Sequence, residues 1–165
     1  MIFNIKKHNS DLYSTLLSLS RNIFFYKTVK LADNFETRIY LMFIHFSIMM
    51  IIFKDNKKKF NQINYDSLFF NIENNLRELG FGDVTVNKKM KELNKVLYDI
   101  LLKLQIDKSN SFKINSKLIF KYFPVLKSEK NQEFKHFESY FIKYYQFCGD
   151  LSLDNMIRDA IKFKL

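Results

Sequence analysis

Three histidines and one cysteine are the side chains best suited to nucleophilic, acid–base or metal chemistry: His8, His45, His136 and Cys148. No histidine stands four residues from another or from a carboxylate in a metal-binding spacing, so a zinc site has no local ligand pair to build on. Cys148 falls on an apolar helical stripe, where a structural thiol is expected; a nucleophile needs an electropositive, partly exposed setting. Gly80-Phe81-Gly82 lacks the third glycine and the lysine–serine pair of a phosphate-binding loop, and reads as a helix end followed by a tight turn. His45 follows Arg38 by seven residues with Met42 between them, which puts all three on one helix face. That spacing offers an internal polar site, or a haem or metal ligand. Its simpler reading is a core histidine satisfied by neighbouring backbone or side-chain groups. No cofactor, metal or small-molecule substrate is expected.

Charge is the stronger signal. Lys and Arg number 27 against 17 Asp and Glu, a formal net charge of +10, which favours association with polyanions such as RNA, a ribosome or an anionic membrane. The run Lys57-Lys58-Lys59 and the face formed by Lys88, Lys89, Lys91 and Lys95 carry part of this excess. Aromatic residues do not alternate with these lysines as they do on a base-stacking platform, so a solvated helix face accounts for either group alone.

The elements that must position these residues are helical. With 3 Gly and 1 Pro in 165 residues the chain has too few turn formers for a sandwich or a doubly wound sheet. A first helix is predicted from Ser10 to about Tyr26, capped by Asn9 or Ser10. A second, over about 34–53, is capped by Asp33 with Glu36 three residues on. Ile39–Phe53 is almost wholly apolar, yet at 15 residues it is short for a membrane span, so a buried central helix is expected. A third helix covers about Lys57 to Leu79, with Tyr65, Phe69, Ile72, Leu76 and Leu79 as its buried stripe and Glu73–Arg77 as an exposed pair. Gly80 ends it. A fourth starts near Thr85 and buries Val86, Met90, Leu93, Leu97, Ile100 and Leu104. Asp107–Ser111 is a polar break. Shorter helices follow from Asn115 or Ser116 to Phe123, from Ser128 through Phe134, Phe137, Phe141, Tyr144 and Cys148 to Gly149, and from Ser152 to Ile161.

The sum is an all-α, compact, single-domain bundle of six to seven helices over 1–165 around that central helix. The 19 Phe and 9 Tyr supply a bulky core and some exposed aromatic surface. One cysteine excludes an internal disulfide and suits a reducing compartment. Met1–Ser10 lacks the apolar stretch of a secretory signal, which makes the cytoplasm the expected location, with peripheral contact at the inner membrane.

Two segments carry a family resemblance. Asn75-Leu76-Arg77-Glu78-Leu79-Gly80-Phe81-Gly82-Asp83-Val84-Thr85-Val86-Asn87-Lys88-Lys89-Met90-Lys91 resembles the most recognisable block of the ubiquinol–cytochrome c chaperone family. Upstream, Phe25-Tyr26, Val29, Asp33, Phe35, Arg38 and His45 look like a second block of the same family, in the same order. The resemblance covers about 22–104, with a compatible helical part over 112–165. It implies a non-enzymatic assembly factor for the respiratory cytochrome bc complex (complex III), holding cytochrome b or its nascent chain, with a ribosome, a small partner subunit and the membrane as further contacts. On that reading Arg77, Glu78, Gly80, Gly82, Asp83, Lys88, Lys89 and Lys91 form the partner surface, and Arg38 with His45 an internal polar site.

Two other functions compete. A basic RNA- or ribosome-binding module with no protein client would merge lysines from separate helices into one stripe and bind with steep salt dependence. An enzyme would gather His45, Arg38 and a carboxylate such as Glu36 or Asp83 in one pocket. The chaperone reading predicts exposed apolar surface beside the Gly82-Asp83 loop.

Overall fold

Helix α3, Phe35–Asp55, is apolar on nearly every face, and such a helix is stable in a globular protein only when others surround it. In the computed structural model, which describes residues 11–104 and 112–165, they do. Every residue from Leu41 to Met49 is buried. Around α3 lie α1 (Asp11–Ser20), α5 (Asp83–Lys103) and α7 (Gln132–Gly149), while α4 (Gln62–Glu78) packs on α1 and α5. Short helices α2 (Ile23–Lys27), α6 (Ser116–Tyr122) and α8 (Met156–Asp159) complete an all-α fold, 76% helical, with no strand among the described residues. The length argument against a membrane span is corrected: α3 has 21 residues and is long and apolar enough to cross a bilayer by length and composition, and it is the packing of α1, α5 and α7 that covers it.

Most other differences from the sequence reading lie at helix starts, and they share a cause. Asparagine side chains, which accept a hydrogen bond from a free backbone N–H in the first turn, set the caps. The first predicted helix is split, because Asn22 caps α2 at Phe24 while the Tyr26 hydroxyl and the Ser20 hydroxyl take up the carbonyls of Ser20 and Leu17. Asn34, not Asp33, caps α3 through Thr37 N–H, which leaves Asp33 for an ion pair with Arg38 at 3.2 Å. Asn61 delays α4 to Gln62, and Asn131, not Ser128, starts α7. Asn115 caps α6 as expected. Ser152 makes no side-chain cap, and the expected last helix is one α-turn flanked by 3₁₀ turns. The expectations for Met1–Ser10, for His8, and for the Asp107–Ser111 break lie outside the described residues.

The core is aromatic where α2, α3 and α7 meet. Phe25 is fully buried against Tyr140 at 4.6 Å between ring centroids, Phe141 at 5.8 Å and His45 at 5.9 Å. The predicted α7 stripe, Phe134, Phe137, Phe141, Tyr144 and Cys148, is buried throughout. Burial pushes the Cys148 thiol up to about 12, so it stays protonated and inert. A second clamp holds α6 to α5: the Asp99 carboxylate accepts from Lys103 at 2.6 Å, Lys121 at 2.7 Å and the Tyr122 hydroxyl, and these donors hold it well below the usual carboxylate range.

Candidate functional site

The corner between α4 and α5 gathers the sequence-predicted surface residues. Leu79 is the α4 C-cap, and Gly80 follows at φ +96, a left-handed conformation that favours glycine. Its N–H reaches the Arg77 carbonyl at 3.0 Å, and Phe81 N–H reaches Leu76. Gly82 then caps α5 in an extended conformation, so the helix begins ahead of the expected cap at Thr85. Arg77 spans the corner, with one guanidinium nitrogen 3.0 Å from Glu73 on its own helix and the other 2.9 Å from Asp83 on the next. Asp83 is 87% exposed in its side chain, so this clasp lies in solvent and is worth less than about 1 kcal/mol.

Gly82 differs from Gly80. Its φ of −73 suits any residue, and a Cβ there would meet nothing within 4 Å. A serine or aspartate would cap α5 better, since the glycine makes no side-chain cap bond. Nothing internal requires glycine at this position.

Apolar side chains stand out around the corner. Leu79, assigned by periodicity to the buried stripe, is 57% exposed, Phe81 is 39% exposed and Val84 85%. Lys89 lies over the Phe81 ring, 4.8 Å from its centroid, in a cation–π contact. Glu78, Lys88 and Lys91 are exposed beside them. Further along the same helices Ile63, Phe70, Tyr98 and Leu102 are also exposed, and the periodic pattern missed all four. Their signal was in the sequence: each is a large apolar residue lying off the buried stripe of its own helix. Of the eleven exposed large apolar side chains among the described residues, seven belong to this one hairpin.

The Arg38–His45 face is different. His45 is fully buried, with Nδ1 2.6 Å from the Leu41 carbonyl and Nε2 2.9 Å from the Tyr140 hydroxyl. A carbonyl only accepts, so Nδ1 carries the proton, and Nε2 accepts from Tyr140. Burial pushes the imidazole down to about 3, which keeps it neutral. Arg38 turns instead to Asp33 at the surface. The two residues therefore have separate partners, and the pocket that an enzyme reading requires around His45 is not assembled: Glu36 is exposed at the start of α3, and Asp83 is held by Arg77. Among the described residues no three His, Cys, Asp or Glu side chains gather as metal ligands would.

A family model described as ubiquinol-cytochrome C chaperone matches residues 27–111, a span that contains α3, α4 and α5 whole. No curated protein and no solved structure matches the chain.

Proposed function

The chain belongs to the ubiquinol–cytochrome c chaperone family, which places its role in the assembly of respiratory complex III, and from that premise we propose that it binds newly made cytochrome b through the α4–α5 hairpin and performs no catalysis. The observation that carries this reading is the concentration of exposed apolar side chains on one hairpin, inside the family-matched span. Large apolar side chains left exposed mainly on one hairpin point to an interaction surface, and a membrane-protein client offers apolar helices to meet them. Arg77, Asp83 and Gly80 shape the corner; Leu79, Phe81, Val84 and Phe70 supply contact area; Lys88, Lys89 and Lys91 border it; Gly82 leaves the backbone open to close approach.

The test is affinity purification of the tagged chain from gently solubilised cells. Wild type should retain cytochrome b through a salt wash, and the Phe70→Glu/Val84→Glu double variant should retain at least tenfold less while melting at the same temperature. Equal retention by the variant would remove the hairpin from the reading. Recovery of ribosomes and RNA alone, released by salt, would favour the basic RNA-binding alternative.

A further inference from the structure

A hollow opens at the far end of the same hairpin. It has a volume of about 620 Å³ and lies between the end of α3, the following turn and the end of α5. Met50, Phe53, Phe60, Tyr98, Leu101 and Leu102 make up most of its wall, and Lys54 and Lys58 stand on its rim. Lys58 is placed there by a turn in which Lys57 adopts φ +55, with Lys57 N–H on the Lys54 carbonyl at 2.9 Å and Lys58 N–H on Phe53 at 3.0 Å. A left-handed lysine is unusual where glycine or asparagine is cheaper.

From the hollow a row of lysines runs up α5. Val84, Lys88, Lys91, Lys95, Tyr98 and Leu102 are all exposed, and their spacing of four, three, four, three and four places them on one line of the helix, opposite buried Val86, Leu93, Leu97 and Ile100. The line is about 27 Å long at 1.5 Å per residue. No acid interrupts it. Glu92 borders a separate recess with Phe35 and Tyr40, and Asp99 is occupied by Lys103 and Lys121. Asp55, the one acid at the hollow, lies where it also borders a recess with Tyr145 of α7.

We propose that this face receives an acidic amphipathic helix of a partner protein, with its large apolar side chains seated in the hollow at Tyr98 and its carboxylates along Lys54, Lys58, Lys91 and Lys95. The proposal rests on the interaction role proposed above and adds the chemistry of a partner anchored at the other end of the hairpin, with Lys91 common to both surfaces. The shape selects this occupant. A bilayer is flat and accepts protruding apolar groups, whereas the half-buried Met50, Phe53, Phe60 and Leu101 line a hollow behind the exposed Tyr98 and Leu102, so the occupant must bring a protrusion. RNA brings charge of the right sign but no apolar group for the hollow. A helix with apolar residues on one face and carboxylates beside them satisfies both features, and its length along α5 matches four to five helical turns.

The test uses the whole chain with Tyr98→Trp, a single reporter because the sequence has no tryptophan. The probes are a synthetic 18-residue helix with leucine on one face and glutamate on the other, its lysine-for-glutamate counterpart, and vesicles of 70% phosphatidylcholine and 30% phosphatidylglycerol. The acidic peptide should shift the tryptophan emission to the blue and bind at least tenfold tighter than the basic one. Lys54→Glu/Lys58→Glu should weaken it at least tenfold with unchanged helicity. A shift with vesicles and none with the acidic peptide would make this a lipid surface; equal response to both peptides, or to neither, would overturn the proposal. Cytochrome b retention by the Phe70→Glu/Val84→Glu variant is read separately, so loss of the client reading leaves this result standing, and the reverse.

Discussion

The two regions that carry the family resemblance do opposite things with similar residues. In the interior, Phe25 and His45 are fully buried and meet Tyr140 and Phe141 across three helices. On the α4–α5 hairpin, Phe70, Phe81 and Val84 face solvent, and the polar residues among them are paired loosely or exposed. The first region spends its aromatics on stability. The second leaves Phe70, Phe81 and Val84 uncovered, which adds little to the stability of the folded monomer and, in the reading proposed above, is surface offered to a partner.

The sharpest way to break this contrast is a matched pair of truncations. Phe25→Ala should destabilise the protein by about 3–5 kcal/mol, the range for an aromatic removed from a packed core. Phe70→Ala, at 62% exposure, should cost less than about 0.5 kcal/mol. Urea unfolding followed by circular dichroism measures both. A large loss at Phe70 would mean that the hairpin face is structural after all.

The pH dependence of stability separates the regions next. His45 is depressed to about 3 in the fold, against an ordinary histidine value of about 6.5 in the unfolded chain. The unfolded state therefore takes up the proton first. Its contribution is complete above about pH 6.5 and is lost as pH falls from there toward 3, at about 1.4 kcal/mol per pH unit. Between pH 7 and 5 the loss should reach about 2 kcal/mol, and His45→Met should flatten that part of the curve. Asp99 acts lower, because its folded-state depression is lost only below the ordinary carboxylate range near pH 4. A wild-type curve that stays level from pH 7 to 5 would mean that the imidazole is not held neutral.

How much of this was legible in the sequence follows from which forces act locally. The all-α class, the central helix and the α7 stripe could be read because apolar periodicity of 3.6 is a local property that packing then ratifies. Gly80 could be read for the same reason: a left-handed helix end depends on its own backbone. The starts of α3 and α7 could not, because Asp33 and Ser128 compete with neighbouring asparagines for the same role, and the winner depends on where Arg38 and the turns lie in space; α4 starts late because Lys57 is held in the turn after α3 and Asn61 supplies the cap. The internal Arg38–His45 pair failed because a shared helix face does not fix partners: Tyr140, 95 residues away, takes the imidazole. Exposure of Leu79, which the stripe assigned to the interior, was illegible for a related reason. A periodic stripe says which face an isolated helix prefers to bury, and says nothing of which apolar residues the neighbours leave uncovered.

The two corner glycines give the finest test of the comparison, because they divide folding from recognition within three residues. Gly80 holds φ +96, so Gly80→Ala should destabilise by about 1 kcal/mol although its Cβ would meet nothing within 4 Å. At Gly82 the backbone is ordinary and the space is open, and a serine hydroxyl gains the first-turn N–H of α5. Gly82→Ser should therefore leave the midpoint unchanged or raise stability by a few tenths of a kcal/mol. If the corner is a recognition surface, the added side chain stands where the partner approaches, and cytochrome b retention should fall severalfold in a protein that folds at least as well. Retention at the wild-type level would mean that Gly82 is tolerated and not needed, and would confine recognition to the apolar side chains around it.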